Sequence, residues 1–230
     1  MGGGLLTQHR QRIKRVLRRL LLQLLPRGFF TGIGEVERRT VRQMMEKGFN
    51  CPKTSSMGRL FDAVAAICGV RERVSFEGQA AMMLEWAAEK LVNHRVTENT
   101  EDPQRRQYAF EIEMEGDGMV IDTRPLIREV VEDVGRGAGA GVIGRRFHST
   151  VVEMIVEVCG RVRARSGIDA PSPVVLSGGV FMNALLLGEA TGRLKEAGFR
   201  VYRHRVVPAN DGGIALGQIA VAARRLGRVP

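Results

Sequence analysis

Two short strings carry the residue types from which this chain could build a chemical site. In the first, Val174-Val175-Leu176 runs into Ser177-Gly178-Gly179, and Asn183 follows. In the second, Asn210-Asp211-Gly212-Gly213 places a carboxylate between an amide side chain and two glycines. An apolar strand that stops at paired glycines and gives way to a helix offers bare backbone amides, and such donors suit phosphate. The second turn presents Asp211 in the same manner. Further upstream, Asp62 is the single acid on a helical stripe of small residues, Gly58, Ala65 and Gly69, and Gly78 sits in the turn Glu77-Gly78-Gln79. A stripe of that kind admits a ligand or another backbone; its other reading is a solvent-facing aspartate.

The elements that must position these residues follow from periodicity. Leu176 and its neighbours read as a buried parallel strand, Asn183 to Ala197 as a helix, and Phe199 to His204 as a second strand. Asp211 to Leu226 reads as a second helix, opened by Asp211 as N-cap. This β-α-β-α order describes an α/β lobe. Before it, Glu35 to Lys47 reads as a helix closed by Gly48, Met57 to Cys68 as a helix capped by the Thr54-Ser55-Ser56 loop, and Ala80 to Val92 as another. On that last helix Met82, Met83, Trp86 and Leu91 are expected in the core. Asn93 to Gln107 is polar, contains Pro103 and reads as a surface linker. Tyr108 to Met114 and Met119 to Ile121 alternate around Gly116-Asp117-Gly118, a hairpin. Helices from Pro125 to Val134 and from Val142 to Ser166 complete the set.

Several motifs are weaker than they look. Gly139-Ala140-Gly141-Val142-Ile143-Gly144 spells a dinucleotide fingerprint, but it lies between two helices instead of after a strand, so a helix–helix turn is expected. His148, one turn later, reads as a packed histidine. The four histidines, His9, His94, His148 and His204, show no pairing three or four residues apart, so no helix displays two imidazoles to a metal. Cys51, Cys68 and Cys159 have neither metal-type spacing nor an even count. Cys68 and Cys159 fall on apolar faces as inert thiols, and a reducing, cytoplasmic setting is expected.

The 230 residues are 44% hydrophobic and 26% charged, enough for one sizeable core, and no run reaches the ~20 apolar residues of a membrane span. The net charge is +10, and part of it lies in residues 1–33. There Ile13, Val16, Leu17, Leu20, Leu21 and Leu24 repeat at helical spacing opposite Arg10, Arg12, Lys14, Arg15, Arg18 and Arg19. This basic amphipathic segment, which carries no cleavable leader pattern, could pack on the lobe, lie on an anionic membrane or touch RNA. Aromatic residues make up 5% of the chain and do not interleave with the bases, so stacking platforms for nucleic acid are not suggested.

The strings Asn50 to Asp62, Phe76 to Ala81, Ser177 to Asn183 and Pro208 to Gln218, in this order, resemble the C-terminal part of the HypF family of hydrogenase-maturation carbamoyltransferases. The likeness runs from about Glu35 to Leu226, and it is more distantly similar to the enzymes that place threonylcarbamoyl on tRNA. It implies that residues 34–230 form the second lobe of an actin-like nucleotide-binding domain, helix-rich with a small mixed sheet. It also implies a missing first lobe with a paired-histidine metal motif and a phosphate loop, and further upstream domains. By the same resemblance Asp62 meets ribose hydroxyls, Gly78 lies against the nucleoside, Gly178 and Gly179 hold phosphate, and Asn183 fixes the nucleoside. Asp211 would supply one ligand to a divalent zinc or iron whose histidines come from elsewhere. The implied ligand is ATP or carbamoyl-adenylate, and the implied acceptor is the C-terminal cysteine of a maturation partner, on the way to the cyanide ligands of nickel–iron hydrogenase. A docking fragment without catalysis and an RNA-associated relative of the tRNA enzymes are the alternative readings.

Overall fold

The computed structural model describes residues 32–52, 54–93, 107–167 and 171–227. The basic amphipathic segment, most of the polar linker and the side chain of Leu91 lie outside the described residues. Among the described residues, seven α-helices and four strands follow in the order α1 Glu35–Lys47, α2 Met57–Ile67, α3 Gln79–Asn93, β1 Glu111–Glu115, β2 Gly118–Asp122, α4 Arg124–Gly135, α5 Ala140–Ser166, β3 Ser172–Leu176, α6 Ala184–Glu196, β4 Phe199–Arg203 and α7 Ile214–Arg225.

Helix α5 is the axis of the fold. Its N-cap is Gly139, so the apparent dinucleotide fingerprint is the cap and the opening residues of α5 and not a turn, and its buried residues run from Ile143 to Met154. Helix α3 packs on one side of it and α6 on another. The approach of α3 is close: a Cβ on Gly144 would lie 3.1 Å from both the carbonyl oxygen and a methyl of Leu84. Phe61 of α2 meets Phe147 edge to face with ring centroids 4.7 Å apart. Such a pair contributes about 0.5–1.5 kcal/mol beyond the apolar area it removes from water. Val64, Ala80, Leu84, Leu126, Val130, Leu186, Ala190 and Leu194 close the same core.

On α3 the buried apolar residues are Ala80, Leu84 and Ala88, whereas Met82 is 40% and Trp86 53% exposed. The expectation that Met82 and Trp86 lie in the core is therefore corrected. Spacing of four puts Ala80, Leu84 and Ala88 on one stripe, and the close contact with α5 has room for alanine and leucine but not for an indole.

The small sheet is divided into two ribbons. β1 and β2 form the expected hairpin, antiparallel from Glu111 opposite Asp122 to Glu115 opposite Gly118. β3 and β4 pair in parallel, Ser172 opposite Phe199 through Leu176 opposite Arg203. Helix α6 makes the crossover between them and leans on β4, which brings both strands' carboxyl ends, and the turns that follow, to one corner. A buried polar triad sits behind the hairpin: the Tyr108 hydroxyl donates to Asp133 at 2.8 Å and Arg146 pairs with the same carboxylate at 2.6 Å.

Replacing Gly144 with Val should lower stability by about 1–3 kcal/mol, because the α3–α5 contact has no slack for the added atoms. Urea unfolding checks this, with a fall in midpoint at unchanged slope expected.

Candidate functional site

The corner at the carboxyl ends of β3 and β4 holds both glycine turns. Gly178 has φ +105°, a backbone conformation that residues with a Cβ rarely adopt. That conformation aims its N–H at the second turn, where it donates to the Ala209 carbonyl at 2.9 Å. In the second turn Pro208 folds back so far that a Cβ on Gly213 would lie 2.6 Å from its carbonyl oxygen, which leaves glycine as the residue that fits. The two strings are thus one structure. A second link joins the strand ends themselves: Ser177 Oγ and His204 Nε2 are 2.9 Å apart.

Three expectations about these turns are corrected. First, the helix does not follow the glycines directly. A 3-10 turn, Gly179–Met182, intervenes, and α6 starts at Ala184 with Asn183 as its N-cap. Second, the leading amides of α6 are not bare. Glu85, on α3, accepts from the Ala184 N–H at 2.6 Å and the Leu185 N–H at 3.2 Å, while Asn183 Oδ1 accepts from the Leu186 N–H at 2.7 Å. The helix terminus already has its anion. The amides of Gly179 and Val180, heading the 3-10 turn, take no partner among the described residues. Third, Asp211 is not the cap of the second helix. Asn210 instead caps a 3-10 turn, Asp211–Gly213, its side chain accepting from the Gly212 N–H at 3.1 Å, and α7 begins only at Ile214 with Gly213 as its N-cap. Asp211 is left exposed in the turn.

Asn183 is held from behind by a histidine. His148 is fully buried, its Nδ1 2.6 Å from the Gly144 carbonyl and its Nε2 2.9 Å from Asn183 Nδ2. A carbonyl can only accept, so Nδ1 carries the proton, and Nε2 accepts from the Asn183 amide. Burial, with Arg145 nearby, holds the imidazole's pKa down at about 4, against the bond to Gly144 that acts the other way. His148 is the packed histidine that its position predicts. Asn183 in turn has both ends of its amide engaged and retains one N–H.

Asp62 lies half-buried on α2, in an ion pair with Arg59 at 3.2 Å, and Arg59 reaches Glu77, next to Gly78, at 3.8 Å. Gly78 opens the turn into α3 with φ +81° and empty space where a Cβ would be. α2 also touches the 3-10 turn after Gly178. Asp62 and Gly78 are therefore joined through Arg59 on the helices that back the corner, whereas Gly178, Gly179, Asn183 and Asp211 form the corner itself.

Among the described residues, the acidic or imidazole groups close enough to share an ion are Glu111, Glu113 and Asp122 on the hairpin, and Arg124 pairs with Glu113 and Asp122 there. Asp211 has no such company, so this chain's own described residues do not make a metal site around it. The cysteines offer no nucleophile in the core: burial, with Asp133 adding to it, pushes the Cys68 thiol up to about 12, and burial raises Cys159 as well.

Glu85 and His204 escaped the reading of the sequence. Glu85 occupies a helical position that a surface glutamate would share, and only the packing of α3 beside α6 reveals its role. His204 had a signal, an imidazole at a strand end shortly before the Asp211 turn, but its partner Ser177 is brought to it only by the parallel pairing.

A family model described as the second subdomain of a carbamoyltransferase Kae1-like domain matches residues 3–218. The chain is 34% identical over 186 residues to a carbamoyltransferase HypF of Synechocystis, covering 80% of this chain and 21% of that one. It is 33% identical over 195 residues to a HypF homolog of Cupriavidus necator, covering 84% and 46%. Among solved structures, a full-length HypF in a phosphate- and nucleotide-bound form superposes with TM-score 0.74 at 38% identity, over 86% of this chain and 24% of that one. The chain thus spans less than half the length of these relatives, and its fold is that of one lobe of their actin-like domain.

Because His148 is neutral when folded, with a pKa of about 4, and takes up a proton near pH 6.5 when unfolded, the unfolded state binds more protons between those values. Its contribution to stability is complete above about pH 6.5 and is lost as pH falls towards about 4, by on the order of 3 kcal/mol. Unfolding titrations at pH 7.5 and 5.0 should show this loss, and His148→Gln should flatten it.

Proposed function

The chain belongs to the HypF family of carbamoyltransferases, and from that premise we propose that it is the nucleotide-side half of a domain that moves a carbamoyl group from carbamoyl-adenylate to a thiol. The observation that carries this reading is the stitched corner, two glycine turns joined by the Gly178–Ala209 hydrogen bond at the carboxyl ends of parallel strands. Ligands of open α/β sheets bind at such ends. In the proposed complex the amides of Gly179 and Val180 donate to the phosphate, with Gly178 holding them in place instead of donating itself. Asp62, released in part from Arg59, accepts from the ribose hydroxyls. Gly78 lets the nucleoside lie against backbone, and Asn183 gives its remaining N–H. ATP is the alternative occupant of the same contacts.

In the transfer, the C-terminal cysteine of a hydrogenase-maturation partner attacks as thiolate at the carbamoyl carbon. A sulfur–carbon bond forms, the carbon–oxygen bond to the phosphate breaks, AMP leaves with the electron pair, and the thiol proton passes to solvent. Amides placed at the phosphate stabilise the charge that collects on the leaving oxygen. The attacking thiol is assigned to the partner, Cys68 and Cys159 being packed against the core, and Asp211 would supply a single carboxylate ligand to a divalent ion completed by histidines of the first subdomain. The chain's described residues do not hold that ion unaided, so no step is assigned to it. The setting implied is the cytoplasm, and no described helix is long and apolar enough to cross a membrane.

Calorimetry with AMP tests the assignment, using the parent, Asp62→Ala and Asn183→Ala with the complementary half supplied. Each substitution should weaken binding roughly tenfold, the worth of about one hydrogen bond to a charged or polar partner. Binding equal to the parent in both would remove Asp62 and Asn183 from the site.

A further inference from the structure

We infer, taking the proposed transfer as premise, that Ser177 and His204 are the route by which the attacking thiol loses its proton, with Ser177 as the relay and His204 as the base. The transfer poses a difficulty that the phosphate amides do not solve. A thiol of ordinary acidity is only a few per cent thiolate at neutral pH. The phosphate that the Gly179 and Val180 amides would hold also disfavours a second negative charge beside it. The thiol therefore arrives neutral and gives up its proton next to the carbamoyl group, to a base at the corner.

Few groups there can accept one. Glu85 is engaged by the Ala184 and Leu185 N–H groups. His148 is fully buried, and its Nε2 is occupied by the Asn183 amide. Asp62 is paired with Arg59 behind the corner, and Asp211 is the carboxylate reserved for the ion. His204 is exposed, and its hydrogen-bond partner among the described residues is Ser177 Oγ at 2.9 Å. Arg203 and Arg205 flank it along the chain. An imidazole is the side chain suited to exchanging protons near neutral pH.

The register of the strands puts this pair where the transfer takes place. β3 and β4 run from Ser172 opposite Phe199 to Leu176 opposite Arg203, and the next rung sets Ser177 opposite His204. Successive side chains of a strand alternate between faces. Ser177 and His204 thus share the exposed face with Val175 and Tyr202, while Leu176 is buried on the other. Ser177 also immediately precedes Gly178, whose N–H is tied to Ala209, so its hydroxyl is anchored at the start of the turn that carries the Gly179 and Val180 amides. In carbamoyl-adenylate a single oxygen joins the carbamoyl carbon to phosphorus. A phosphate on those amides therefore leaves that carbon beside the same turn. In the step, the Ser177 hydroxyl donates to His204 Nε2 and turns a lone pair to the thiol. As sulfur bonds to the carbamoyl carbon, its proton moves to Ser177 Oγ and the Ser177 proton moves to Nε2. The carbon–oxygen bond then breaks, AMP takes the electron pair, and the exposed imidazolium releases the proton to solvent.

The test uses the full chain with the complementary half supplied, carbamoyl-adenylate, and a peptide ending in cysteine whose gain in mass is followed. His204→Ala should lower kcat about a hundredfold at pH 7, the usual worth of a positioned base, with AMP affinity by calorimetry unchanged. At pH 9.5 the thiol ionises without help, and the variant should approach the parent's rate. His204→Asn can still bond Ser177 but cannot take up a proton, so it should be as slow as His204→Ala at pH 7. A parental rate in His204→Asn, or a loss in His204→Ala that persists at pH 9.5, reduces the pair to a turn-shaping contact and overturns the inference. Weakened AMP binding overturns it too, by moving the pair into the phosphate cradle. A parent that transfers no carbamoyl group overturns the proposed function itself, whereas transfer that is indifferent to His204 overturns the proton route alone.

Discussion

The corner depends on one buried relay. The Gly144 carbonyl fixes the proton on His148 Nδ1, the bare Nε2 then accepts from the Asn183 amide, and the oxygen of that amide caps α6 through the Leu186 N–H. Each member has one orientation once the first is set. The relay joins the buried N-terminal part of α5 to Asn183, the first residue past the 3-10 turn. A protonated His148 would place an N–H against the Asn183 NH2 group, and the amide could answer only by turning over and abandoning the cap.

Glu85 adds the complementary constraint. Its carboxylate lies at the head of α6, where two N–H groups and the helix dipole favour a negative charge, and burial raises its pKa against the pull of those bonds. With the helix terminus filled from within the chain, the open donors move forward to the 3-10 turn. Gly178, committed to Ala209, becomes the hinge pin that orients them. What began as two glycine strings with similar roles resolves into a division of labour: Gly178 and Gly213 shape the corner, Gly179 faces outward, and Asp211 stands exposed beside it.

Much of the fold was legible from period and punctuation. The hairpin around Gly116-Asp117-Gly118, the long α5, the cap of α2 by Ser56 and the parallel strands flanking α6 all lie where spacing puts them, because each is decided by local pattern. The misses share a cause. Size and apolar character point Met82 and Trp86 inward, but the α3–α5 contact is too close for them. Residue type favours Asp211 as a cap, but Asn210 one residue earlier reaches the Gly212 amide instead. The partners of Glu85 and His204 come from distant elements, and no local window contains them. Of the six candidate site residues, the four at the corner are close because the strands are paired, which the strand–helix–strand pattern implied; the backing position of Asp62 and Gly78 rested on the family resemblance.

The role of the corner is decided by which amides meet phosphate. Nitrogen-15 labelled chain, titrated with AMP and followed amide by amide, addresses this directly. The Gly179 and Val180 resonances should move and saturate together, with inorganic phosphate competing, while Ala184 and Leu185, bound to Glu85, stay in place. Movement centred on Ala184 to Leu186, or on residues away from the corner, would contradict it.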